Sequence, residues 1–139
     1  MKVLRVLVPL DGTDQSAEAL STVRELAGAV EHCSVELLHA LAPNGTAAEE
    51  LAGQKSKAEE FLGRQAKQLA GDDKLDVACS VESGEPADVI LERIRTGKFN
   101  FVCMTMRSQS RKSSPGSVAR RLIRESPTPV IALPANAAG

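Results

Sequence analysis

Aromatic residues are almost missing from this chain of 139 residues, which holds three Phe and neither Trp nor Tyr. Its core must therefore be aliphatic, and it lacks the aromatic platforms on which single-stranded nucleic acid stacks. A net charge of −1 weighs against nucleic-acid binding as well. Cysteine is sparse and odd in number: Cys33, Cys79 and Cys103, with no C-x-x-C or other metal-ligand spacing. All three lie in or beside apolar runs, so they read as small buried hydrophobes in a reducing cytosol. Only Cys103 adjoins the basic surroundings that a reactive thiol needs. Long hydrophobic runs are missing too. The N-terminal one, Val3 to Leu10, is interrupted by Arg5 and closed by Asp11, too short for a signal peptide or a membrane span. Asn44-Gly45-Thr46 matches a glycosylation sequon but, without secretion, reads as a turn. A cytoplasmic protein with no membrane or nucleic-acid partner is expected. The two histidines, His32 and His39, stand in no acid or nucleophile pattern. His39 is expected to be structural, and no nucleophile–base–orienter set for covalent catalysis is apparent.

What is present is an alternation of strands and helices over one domain, residues 1–139. Val3-Leu4-Arg5-Val6-Leu7-Val8 reads as a largely buried strand, broken by Pro9-Leu10-Asp11-Gly12-Thr13-Asp14. Thr13 or Asp14 can cap a helix whose apolar stripe is Leu20, Val23, Ala27 and Val30. Val35 to Leu41 is a second buried strand. Thr46-Ala47-Ala48-Glu49 is a capping-box pattern opening a long helix with Ala58, Leu62, Ala66 and Leu69 inward. Leu75, Val77, Cys79 and Val81 alternate strictly with polar or small residues, which indicates one wet face and an edge strand. Pro86 begins a third helix with Ala87, Ile90, Leu91 and Ile94 inward, ended by Gly97. Phe101 to Met104 is the fourth strand, and Val118, Ala119, Leu122 and Ile123 mark a fourth helix. A short last strand follows, Val130 to Leu133, with prolines on both sides that suit only a sheet edge. Five strands alternating with four helices give an open parallel α/β sheet of order 3-2-1-4-5 with helices on both faces. The order reverses between strands 1 and 4, and ligands bind such sheets at that reversal, beyond the carboxyl ends of the strands.

The stretch after strand 4 points to the same place. Between Met104 and Val118 runs a polar loop, and Ser114-Pro115 suits a helix start whose free N–H groups, near Gly116 and Ser117, favour anions. From Met104 to Ser126 there are Arg107, Arg111, Lys112, Arg120, Arg121 and Arg124 against Glu125 alone, a local balance of +5. Arg120, Arg121 and Arg124 read as a solvated helix face. Gly116 and Ser117 can hold a phosphate or simply begin the helix, and Asp11 can touch a ligand or simply cap one.

These residues together resemble the universal stress protein family along essentially the whole chain. The resemblance rests on Val6-Leu7-Val8-Pro9-Leu10-Asp11-Gly12-Thr13 with Ser16, Ala19 and Leu20, and on Leu37-Leu38-His39-Ala40. It continues in Gly84-Glu85-Pro86-Ala87-Asp88-Val89-Ile90, in Gly116-Ser117-Val118-Ala119 and in Ser126-Pro127-Thr128-Pro129-Val130-Ile131. It implies an ATP or other adenine-nucleotide site, with Asp11 by the ribose and base and the Ala40 backbone at adenine. It also implies phosphates held by loop glycines and by Gly116 and Ser117. The candidate binding residues are therefore Pro9, Asp11, Gly12, Thr13, Ala40, Thr105, Arg107, Ser108, Gly116, Ser117 and Val118. The chain departs from the family's nucleotide-binding loop: Thr105 and Ser108 replace its two early glycines, and the loop to Gly116 is two residues shorter.

A residue with a Cβ pays roughly 1–2 kcal/mol for the left-handed geometry that glycine adopts freely. Two such positions imply an affinity loss on the order of 30- to 1,000-fold, only partly offset by Arg107, Arg111 and Lys112. The expected function is a non-enzymatic stress-response module with a weakened adenine-nucleotide site. The alternative is a true ATP-binding switch or slow ATPase. The resemblance further implies a homodimer paired through Val130, Ile131 and Leu133 of the last strand, acting on a protein partner that the sequence does not name.

Overall fold

The computed structural model describes residues 3–41, 48–69, 71, 74–106 and 117–134. Along the chain these form β1 (Val3–Leu10), a 3-10 turn (Ser16–Glu18), α1 (Ala19–Gly28), β2 (His32–Leu41), α2 (Ala48–Leu69) and β3 (Leu75–Ser83). Then come α3 (Pro86–Thr96), β4 (Phe101–Thr105), α4 (Ser117–Glu125) and β5 (Val130–Leu133). All strand pairs are parallel and the order is β3-β2-β1-β4-β5, as the sequence predicts.

β1 is central because its residues are apolar on both faces. Alternate side chains divide between two cores. Val6, Val8 and Leu10 join Val35, Leu37, Val23, Phe61 and Leu62 under α1 and α2. Leu7 joins Leu38, Ile90, Leu91, Val102 and Leu122 under α3 and α4. The α3 stripe of Ala87, Ile90, Leu91 and Ile94 is buried throughout, and Glu85 caps the helix by accepting from Ala87 N at 3.0 Å. Asn100 ties the entry of β4 to β1: its Oδ1 accepts from Arg5 N at 2.8 Å, and its own N donates to Arg5 O at 2.7 Å.

Several expectations need correction. α1 begins at Ala19 without a side-chain cap, behind the 3-10 turn, and ends at Gly28, so Val30 packs on the core from beyond the helix. Thr13 caps the 3-10 turn instead, its Oγ1 accepting from Ser16 N at 3.1 Å. Cys33 and Cys103 are buried, but Cys79 is exposed. Its parity is as expected, with Sγ set against Leu62 O at 3.7 Å, yet β3 is an edge strand and leaves its outer flank uncovered. Ile123 is 56% exposed, because it stands one helical step off the Ala119–Leu122 stripe. The capping box at Thr46-Ala47 and the helix start at Ser114-Pro115 lie outside the described residues.

Candidate functional site

The chain leaves β1 toward β2 on one side of the sheet and reaches β4 on the other, so the carboxyl ends of β1 and β4 part and a cleft opens between them. The cleft has a volume of about 260 Å³. Its walls are apolar: Pro9 and Leu10 from β1, Pro86 and Ile90 from α3, Met104 from β4, Val118 and Ala119 from α4. The polar groups converging on it are Asp11, Ser16, His39, Thr105 and Ser117. An apolar hollow with a few placed polar groups is the usual form of a small-molecule site.

The Asp11 turn forms the first rim. Asp11 Oδ1 accepts from Thr13 N at 3.0 Å and from Thr13 Oγ1, a local pattern that fixes the carboxylate against its own backbone. Ser16 Oγ accepts from Asp11 N at 3.2 Å and donates to Thr13 O at 2.7 Å, locking the turn to the 3-10 turn. Gly12 sits at φ +87°, the left-handed region where a side chain is strained. A Cβ there would also lie 3.0 Å from His39 Nε2.

The opposite rim is the first described turn of α4. Ser117 and Val118 face the cleft, and backbone N–H groups at the start of a helix suit an anion. Between the rims, Thr105 is the last residue of β4, paired with Leu133 and buried. Its Oγ1 donates to Ser16 O at 3.4 Å, so this side chain braces the turn.

Of the eleven candidate residues, Pro9, Asp11, Ala40, Thr105, Ser117 and Val118 line the cleft. Thr13 supports Asp11 from behind, and Gly12 faces an adjoining hollow shared with His39, Lys57, Phe61 and Arg64. Arg107, Ser108 and Gly116 lie outside the described residues. The α4 arginines divide. Arg121 is taken up by α3, with Nη1 2.8 Å from Asp88 Oδ1 and 3.7 Å from Glu85 Oε1, while Glu125 binds it within its own helix at 3.2 Å. Those bonds, from Glu125 first and Asp88 next, raise the guanidinium pKa further. Arg120 and Arg124 are exposed, as a solvated face requires.

Sequence reasoning missed Ser16, His39 and Pro86 as cleft residues. For His39 a signal existed. It shares strand parity with Val35 and Leu37 and pairs in register with Leu10, which carries its ring beneath the Asp11 turn. Burial pushes the His39 pKa below 6.5, outweighing the carbonyls of Asp11 and Ala40 and the Asp11 carboxylate, all of which favour the cation. Among the described residues no group of three or more His, Cys, Asp or Glu is placed to hold a metal ion. No described helix is long and apolar enough to cross a membrane.

Known proteins repeat this architecture. The hypothetical protein MJ0577 superposes with a TM-score of 0.84 at 19% identity, over 95% of this chain and 96% of that one. A universal stress protein in complex with cAMP gives 0.74 at 18% identity, over 98% and 100%. A universal stress protein family protein from Arabidopsis thaliana with AMP bound gives 0.72 at 15% identity, over 97% and 94%. No curated protein sequence matches the chain significantly. The profile of the Universal stress protein family matches residues 2–134, nearly the whole chain, including both rims of the cleft. With sheet order and sequence profile in agreement, the chain belongs to the universal stress protein family.

Proposed function

We propose that this chain is a non-enzymatic, homodimeric regulatory module of the stress response that holds an adenine nucleotide weakly and acts through a protein partner. The observation that carries the nucleotide reading is the meeting of the Asp11 turn and Ser117 across one apolar cleft. A carboxylate suits ribose hydroxyls, helix-start N–H groups suit phosphate, and the walls between them suit a base. Relatives of the same fold carrying cAMP and AMP support the class of ligand. The weak binding rests on Thr105, which the resemblance sets where the family's loop carries a glycine: it closes β4 as an extended, paired residue, and would pay for the left-handed geometry that a phosphate loop needs.

The non-enzymatic part is supported by Ser16, the hydroxyl beside the Asp11 turn. It is engaged in two turn hydrogen bonds and gives its proton to the Thr13 carbonyl rather than to a base. The dimer is supported by β5, which among the described strands pairs only with β4 and whose four residues are all half-buried in the single chain. An apolar strand edge of this kind is normally covered.

Mass spectrometry of the natively purified protein tests the nucleotide reading. Substoichiometric adenosine phosphate or none, with AMP or ATP binding restored at millimolar concentration, is the expected result. ATP retained one per chain would favour the alternative, a true ATP-binding switch.

A further inference from the structure

His39 borders both the cleft and the hollow behind the Asp11 turn. Its Nδ1 is buried and has no hydrogen-bond partner among the described residues. Its Nε2 lies under Gly12, so near that a Cβ there would stand 3.0 Å from it and force the ring to give. The ring is thus packed against the backbone that presents Asp11. We infer that His39 is a positioning residue for the Asp11–Gly12–Thr13 turn, and that the cleft takes an adenine ligand better when this ring is uncharged. The inference rests on the adenine-nucleotide reading above.

Among the described residues, the charged groups that share its two hollows are Asp11 from the turn and Lys57, Glu60 and Arg64 from α2. β3 offers Val81 at the paired position, and the described residues of α3 and α4 that line the cleft are uncharged. A ligand reaching from Ala40 to Ser117 closes the cleft over the ring and removes more water from it, which disfavours the imidazolium. By linkage, protonating His39 then loosens the ligand. The imidazolium also draws the Asp11 carboxylate toward itself and away from ligand hydroxyls. A ligand phosphate at the α4 rim attracts the imidazolium and opposes this shift, so adenosine, which carries no phosphate, reads the desolvation alone.

The test is the His39 titration followed by NMR in a His32→Gln background, where His39 is the sole histidine. It is run free and with saturating adenosine or cAMP, neither of which has a phosphate group that titrates near pH 6. The expected result is a pKa lowered by about half to one unit on binding, with affinity weakening as pH falls through the two values, by roughly three- to tenfold once it is below both. His39→Gln is expected to remove that pH slope. A ligand that binds while leaving the His39 pKa unmoved, or raising it, overturns the inference and leaves the nucleotide reading intact. Failure of both ligands to bind at millimolar concentration near pH 7.5 overturns both.

Discussion

Thr105 Oγ1 donates to Ser16 O across 3.4 Å, joining the end of β4 to the turn that carries Asp11. Thr105 therefore braces that turn. Thr105→Gly loses a hydrogen bond worth about 0.5–1.5 kcal/mol, here at the weak end because it is long, and adds about 0.5–1 kcal/mol of backbone entropy cost. Stability should fall by roughly 1–2 kcal/mol, read as a lower urea midpoint. Where a bound phosphate requires left-handed geometry at this position, which the extended end of β4 does not have, the same variant should bind ATP about 5- to 30-fold more tightly. Unchanged affinity would show that this position never limited binding.

The thiols should divide by burial. Cys79 is exposed and should react with a thiol reagent in the folded protein, slowly, because partial burial raises its pKa. Cys103, pushed up to about 11 by burial, and Cys33 should react only on unfolding. Rapid native modification of Cys103 would contradict this packing and revive a redox role.

Acid should weaken the fold through His39. Its folded pKa lies below the unfolded value of 6.5, so between the two the unfolded chain binds more protons and stability rises with pH. That contribution is complete above pH 6.5 and is lost as pH falls toward the folded value. Glu125, whose pKa is lowered first by its hydrogen bonds to Arg121, acts in the same direction but only below 4.5. Urea midpoints measured between about pH 7.5 and about pH 5 should fall in the wild type and fall less in His39→Gln.

Dimerisation should depend on β5. Ile131→Lys places a charge in the middle of the four-residue edge strand and should halve the mass seen by light scattering at micromolar concentration. A monomeric mass for the unaltered chain would refute the homodimer.

The sheet order was legible because each edge announces itself in sequence. β3 alternates apolar with polar residues, and β5 is flanked by prolines, while β1 is apolar on both faces. The cleft was legible because the strand order places it. Exposure at the sheet margins was not, since Cys79 and Ile123 have inward-compatible patterns and lack only a neighbouring element to cover them. His39 escaped because an aliphatic run around it reads as core, and only the register with Leu10 brings its ring under Gly12.

The central claim is a retained but weakened adenine-nucleotide site at the Asp11–Ser117 cleft. Isothermal calorimetry with ATP tests it most directly, with Asp11→Ala and Ser117→Ala as companions. The account predicts a dissociation constant in the high-micromolar to millimolar range, weakened further by both substitutions. A low-micromolar constant would contradict the weakening, and binding indifferent to both substitutions would contradict the site.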